Sequence, residues 1–132
     1  MTPELYWLTL TALATALMWA PYILNRIAVR GLWGALSVAG PNAAPHSPWA
    51  ERAMKAHANA VENLVVFGAV VLAAQAAGVS TPVTATAAMI YFFARIAHYA
   101  VYVAGVPVLR TLAFAAGAFS TIAIALATLG WI

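Results

Sequence analysis

The chain has 132 residues, of which 65% are hydrophobic and only 7% are charged. Soluble domains carry about 25% charged residues, so this composition excludes a soluble globular protein. Cysteine is absent, which excludes disulfides, a protein thiolate nucleophile and cysteine-ligated metal sites. The net charge of +3 comes from six basic residues scattered mostly near segment ends, and this scatter excludes a nucleic-acid-binding surface.

Four segments are long and apolar enough to cross a membrane, which takes roughly 20 mostly apolar residues. They cover about residues 5–25, 50–77, 82–104 and 109–131. The connection Gly31–Pro48 is rich in glycine and proline and is predicted to be a loop. Ser47-Pro48 and Thr81-Pro82 place a capping residue before a proline and predict helix starts. We therefore predict one domain over residues 1–132, an all-α integral membrane four-helix bundle.

The positions of the basic residues predict the orientation in the membrane. Basic side chains flank the first and third connections, namely Arg26, Arg30, Arg52, Lys55 and Arg110. The second connection, Gly78–Pro82, carries no charge, so the positive-inside rule places both termini outside. Met1–Trp7 contains no basic residue, which predicts a retained first helix rather than a cleaved signal peptide.

Two stripes of polar residues run along otherwise apolar segments. The first contains Arg52, Lys55, Asn59 and Glu62, with His57 and Asn63 beside it, and the second contains Arg95, His98 and Tyr102. Steps of three and four residues place each stripe on one helix face. Ionisable groups within a bilayer cost roughly 2.5–3.5 kcal/mol each on insertion scales and mark functional sites by default. The stripes are therefore the candidate site.

Depth in the membrane predicts which polar residues meet. Glu62 lies ten residues inside Arg52, or about 15 Å, and Arg95 lies twelve residues inside Pro107, or about 18 Å. We therefore predict that Glu62 and Arg95 form an ion pair or share a hydrogen-bond network. Nearer the cytoplasm a positively charged cluster is expected, which suits a small anionic, polar ligand. Its members are Lys55, His57, Asn59, His98, Tyr102 and Arg110.

The same residues also admit structural roles. Glu62 with Arg95 can be a packing element, and Asn59 and Asn63 can hydrogen-bond between helices. Arg26 and Arg30 are most simply determinants of topology, although one of them can reach an anionic ligand. A metal site is not predicted, because no His–Glu pair has a recognised ligand spacing.

Two motifs resemble those of the MAPEG family, the membrane-associated proteins in eicosanoid and glutathione metabolism. Residues Glu51–Asn63, read as E-R-x-x-K-A-H-x-N-x-x-E-N, resemble its second-helix signature. Residues Arg95–Tyr102, read as R-x-x-H-x-x-x-Y and followed by Arg110, resemble its third-helix motif. The resemblance implies a four-helix subunit in a homotrimer that binds glutathione between neighbouring subunits, near the cytoplasmic side. It also implies a bacterial member in the inner membrane.

The resemblance further implies roles for individual residues. Arg110 stabilises the thiolate of glutathione, or of a related low-molecular-weight thiol, and Tyr102 assists. The expected ligand contacts are Arg26, Arg30, Lys55, His57, Asn59, Glu62, Asn63, Arg95, His98 and Tyr102. The partners implied are a lipophilic small molecule from the bilayer, membrane lipid and further copies of the chain.

Three departures from the family pattern bear on the function. Lys55 replaces the usual arginine, His98 stands where leukotriene synthase-like members have tyrosine, and the chain has no aspartate. The leading hypothesis is a glutathione-dependent transferase or peroxidase that acts on lipophilic electrophiles or hydroperoxides. The alternatives are a non-catalytic membrane subunit of the same fold and a small proton-coupled multidrug exporter that uses Glu62.

Overall fold

The computed structural model describes residues 1–132 as an all-helical chain without strands. Its helices are α1 (Pro3–Leu17), α2 (Trp19–Leu36), α3 (Pro48–Ala76), α4 (Pro82–Ala104) and α5 (Pro107–Thr128). Helices α1 and α2 are halves of one apolar segment, so four segments are long and apolar enough to span a membrane. The predicted fold, an all-α integral membrane four-helix bundle, is confirmed.

The first membrane segment is broken at Met18, between α1 and α2. The cause lies at Pro21, which has no N–H to donate to the carbonyl of Leu17 and whose ring crowds that carbonyl. The hydroxyl of Tyr99 donates to the carbonyl oxygen of Met18 at 3.1 Å. The break is therefore attached to α4 by a side-chain hydrogen bond to the carbonyl next to the one that Pro21 leaves without its helical donor.

The first connection starts later than the glycine and proline pattern predicts. Helix α2 reaches Leu36, although its backbone leaves helical geometry at Gly31, where φ is 72° and ψ is 168°. Only glycine adopts this conformation without steric cost. Gly31 therefore interrupts the helix, as expected of a breaker, but one further turn follows before the loop begins.

Helices α3 and α4 begin at the predicted prolines, Pro48 and Pro82. Thr81 caps α4 by accepting from the backbone N–H of Thr84 at 3.2 Å. Ser47 makes no such bond with α3. Its hydroxyl and its backbone N–H instead pair with the side-chain amide of Asn25 at 2.8 and 3.0 Å. The start of α3 is therefore attached to α2.

The interior depends on small residues and one aromatic stack. Alanines at three- and four-residue spacing form the buried face of the first half of α3, namely Ala50, Ala53, Ala56 and Ala60. Further along, the rings of Phe67 and Tyr91 stack at 3.6 Å with planes 5° apart. Gly117 of α5 faces this layer, and a Cβ there would lie 3.4 Å from Cδ of Arg95. This close approach of α4 and α5 positions the candidate site.

Candidate glutathione site

A cavity of about 180 Å³ lies where α4 leads into α5, and α3 closes its other side. Its lining residues are Asn59, His98, Tyr102, Arg110, Thr111 and Phe114. One helical turn separates His98 from Tyr102 on α4 and Arg110 from Phe114 on α5, so each pair shares a face. The structure therefore brings together residues from both polar stripes and the downstream arginine.

Arg110 and Tyr102 form the cationic wall of the cavity. The guanidinium carbon of Arg110 lies 4.7 Å from the centroid of the Tyr102 ring, a cation–π contact. The one contact between a carboxylate and a basic side chain within 4.0 Å joins Glu51 to His46, at 3.7 Å. Arg110 therefore has no carboxylate partner, and because no acidic side chain lines the cavity, the cavity favours an anion.

The side chain of Asn59 accepts a hydrogen bond from Arg95, a residue outside the cavity lining. One terminal N–H of Arg95 donates to Oδ1 of Asn59 at 2.6 Å. The amide of Asn63 donates to the backbone carbonyl oxygen of Asn59 at 2.9 Å and more weakly to its Oδ1 at 3.4 Å. Arg95 is only 3% exposed and lies outside the cavity lining. It supports the pocket instead of lining it.

His98 is a buried polar residue without a hydrogen bond. It is 2% exposed, and its Nδ1 has no partner. Its ring meets the Tyr102 ring edge-on, with centroids 5.5 Å apart. Buried side-chain polar atoms are normally hydrogen-bonded. The cavity therefore has a lining residue, His98, whose Nδ1 finds no hydrogen-bond partner within the chain.

The comparison with known protein families agrees with this geometry. A sequence model of the MAPEG family matches residues 5–130. The chain belongs to the MAPEG family. No curated protein matches the chain. Membership in this family associates the membrane bundle with glutathione-related chemistry, and the cavity is where its two motif-bearing helices meet.

Several residues expected at the MAPEG site lie elsewhere in the subunit. Nδ1 of His57 is 2.8 Å from the hydroxyl of Tyr22 on α2. Arg26 donates to Nε2 of His46 at 3.2 Å, and Arg30 donates to the carbonyl oxygen of Ala44 at 2.7 Å. These three side chains therefore tie α2 to α3 and to the first connection. None of them lines the cavity.

The predicted pairing of Glu62 with Arg95 is wrong within the subunit. Glu62 is exposed, and the subunit has no ion pair between these residues. Arg95 instead uses Asn59, which lies three residues earlier on α3. Three residues correspond to a rotation of about 60° from one face of a helix. The depth argument came within one helical turn of the actual partner of Arg95 but did not give the direction in which each side chain points.

Lys55 and Glu62 share an open face of α3. Both side chains are exposed in the subunit, and they are seven residues, or two helical turns, apart. Apolar side chains on the same helix are exposed beside them, among them Val61, Val65 and Val66. Charged side chains exposed on a membrane-spanning helix would be costly in contact with lipid.

Two features of the bundle were not predicted from the residue pattern. Phe114 forms part of the cavity wall, and its only sequence signal is its position four residues after Arg110. Glu4 is 2% exposed and accepts hydrogen bonds from the hydroxyls of Ser80 and Thr84. This second polar cluster lies at the end of α4 opposite the cavity.

Proposed function

We propose that this MAPEG protein binds glutathione, or a related low-molecular-weight thiol, and activates it for reaction with lipophilic electrophiles or hydroperoxides. The observation that supports this most is the cavity in which Arg110, Tyr102 and Asn59 meet without any carboxylate. Its donors and its positive charge fit an anionic, peptide-like ligand. Glutathione contributes the nucleophilic sulfur.

Arg110 would act on the thiol through its charge. A neighbouring cation lowers the pKa of a thiol, and the thiolate is the reactive form. The ring of Tyr102 keeps the guanidinium in place, and its hydroxyl can donate to the sulfur. Asn59 and His98 would hold the peptide-like body, because they are the other polar side chains from the two stripes in the lining.

Both reactions balance with groups that this proposal names. In transfer, a bond forms between sulfur and the electrophilic carbon, the leaving group takes its electron pair, and the thiol proton passes to water. In hydroperoxide reduction, the O–O bond breaks, two thiols are oxidised to a disulfide, and an alcohol and water are released. The lipophilic substrate would enter sideways from the bilayer between helices.

A homotrimer would complete the site. Ligand pockets usually measure about 300–1,000 Å³, whereas the cavity of one subunit measures about 180 Å³. The open α3 face, with Lys55, Glu62 and exposed valines, would pack against a second copy and bring its charges to the bound tripeptide. We place this site at the cytoplasmic side and both termini outside, following the distribution of basic residues.

The first test is the thermal stability of the detergent-purified protein titrated with glutathione. Ligand at 100 times its Kd should add about 2.7 kcal/mol to the free energy of unfolding. Arg110→Ala and Asn59→Ala should each raise the Kd. Thr9→Ala, on the exposed part of α1, is the control and should respond like the wild type. A wild type with no shift at millimolar glutathione would contradict the thiol assignment.

Turnover separates an enzyme from a non-catalytic MAPEG subunit. Ultraviolet absorbance of the thiolate should appear when glutathione binds the wild type, and it should be lost in Arg110→Ala. Consumption of a model electrophile should be lost in the same variant. Binding without either signal would instead indicate the non-catalytic alternative.

The exporter hypothesis loses support because the chain belongs to the MAPEG family, although Glu62 lacks the neutralising arginine that was expected.

A further inference from the structure

Arg95 is a buried cation whose one hydrogen-bond acceptor is a neutral amide. It is 3% exposed, it forms no ion pair, and its Nε has no partner. Its contact is the 2.6 Å bond to Oδ1 of Asn59. A charged group within a membrane-spanning helix is costly unless it is paired. This cost suggests a role for Arg95 beyond packing.

The bond to Arg95 determines which end of the Asn59 amide faces the cavity. A guanidinium has only donors, so it selects the amide oxygen and never the NH₂ group. Asn63 adds a second, weaker donor to the same oxygen. Rotating the Asn59 amide by half a turn would bring its NH₂ group against the donors of Arg95. The NH₂ group is therefore the end left for a ligand in the cavity that Asn59 lines.

We infer that Arg95 is a positioning residue that presents the Asn59 side chain to the ligand as a hydrogen-bond donor. This inference rests on the proposed glutathione function and names the type of ligand atom that Asn59 recognises. That atom is an acceptor, such as a carbonyl, carboxylate or thiolate, and not an ammonium group. Gly117 lies against this arrangement, because a Cβ there would be 3.4 Å from Cδ of Arg95.

A double-mutant cycle tests whether Arg95 acts through Asn59. The measured quantity is the Kd of glutathione, obtained by calorimetry on the detergent-purified protein. Losing one neutral hydrogen bond is worth about 0.5–1.5 kcal/mol, so Arg95→Met should raise the Kd by a factor of about 2 to 12. In the Asn59→Ala background the same change should alter the Kd less than about twofold, because the group that Arg95 orients is gone. Equal effects in both backgrounds would overturn the inference.

Two further variants separate positioning from a merely structural role. Arg95→Lys retains a charged donor and should restore binding to near the wild-type Kd. Asn59→Asp should keep the melting temperature, because a carboxylate accepts from Arg95 even better than an amide. It lacks the NH₂ group, so it should bind glutathione as weakly as Asn59→Ala. Wild-type affinity in Asn59→Asp would overturn the inference even if Arg95→Met fails to fold.

The experiment distinguishes this inference from the proposed function. A wild-type protein that binds no glutathione overturns the function and the ligand assignment together. A wild-type protein that binds glutathione, but whose Arg95 and Asn59 effects simply add, leaves the function intact and overturns only the positioning role.

Discussion

Buried polar groups at the two ends of α4 differ in whether they have hydrogen-bond partners within the chain. At its start, the carboxylate of Glu4 accepts hydrogen bonds from Ser80 at 3.0 and 3.1 Å and from the hydroxyl of Thr84. Fourteen residues later, or about 21 Å along the helix, His98 is equally buried and forms no hydrogen bond through Nδ1. The carboxylate at the start of α4 has its hydrogen-bond partners within the chain, whereas Nδ1 of His98 has none.

This difference separates a structural cluster from a ligand site. A buried group whose partners all come from the protein contributes to stability, because its hydrogen bonds are complete. A buried group with unused donors beside a cavity gains its partner only when something binds. Glu4 is of the first kind, whereas His98, which lines the cavity, is of the second. Burial alone therefore does not identify a site, and His98 is distinguished by having an unpartnered polar atom in a residue that lines a polar cavity.

Removing Glu4 should produce the largest loss of stability. Glu4→Ala leaves the Ser80 hydroxyl without its acceptor, leaves the Thr84 hydroxyl only the carbonyl oxygen of Thr81, and removes the bonds that join α1 to the start of α4. Each hydrogen bond to a charged group is worth about 1.5–3 kcal/mol, so we expect the free energy of unfolding to fall by about 3 kcal/mol. Thermal unfolding in detergent measures this loss, and the Kd of glutathione should stay at the wild-type value.

Glu51→Ala is the matched control for that prediction. Glu51 is exposed and lies 3.7 Å from His46, and surface pairs of this kind contribute at most about 1 kcal/mol. If both alanine variants lose the same stability, or if Glu4→Ala weakens glutathione binding, the contrast between the two ends of α4 is wrong.

The sequence predicts the fold well because lipid restricts the choices. A chain with so few charged residues can satisfy its backbone in a membrane as helices, and proline marks where α3 and α4 begin. The break at Met18 was missed, although Pro21 was visible, because the donor that stabilises it comes from Tyr99, 81 residues away. Such long-range partners are set by packing and not by local pattern.

The candidate site was predicted in part, for a similar reason. Helical spacing correctly grouped His98 with Tyr102 and placed Asn59 at their level. It assigned Glu62 to the same face as Asn59, yet the rotation of about 60° between residues three apart leaves Asn59 facing Arg95 and Glu62 exposed. Spacing likewise could not show that Arg26 and Arg30 bend back to the first connection.

A smaller loss of stability is expected when the Tyr22–His57 contact is removed. The same variant shows whether His57 belongs to the ligand site. Tyr22→Phe removes the 2.8 Å contact and should cost about 1 kcal/mol of stability. If His57 serves only to tie α2 to α3, glutathione affinity should not change. Tyr6→Phe on the exposed part of α1 is the control and should be neutral. A tenfold weaker affinity in Tyr22→Phe would instead place His57 at the ligand, as the family resemblance implies.

The smallest effect is expected at Arg30, and it tests whether the first connection belongs with the structural end or with the site. Its side chain donates to the carbonyl oxygen of Ala44 at an exposed position, so Arg30→Ala should lower stability by less than about 1 kcal/mol. Amide hydrogen exchange between residues 37 and 47 should accelerate, because this bond holds the segment against α2. Arg26→Ala is the comparison, with faster exchange expected near His46, its partner. Unchanged exchange together with weaker glutathione binding in Arg30→Ala would mean that the arginine leaves the loop to reach the ligand. The ligand site would then extend beyond the end of α4 to the first connection.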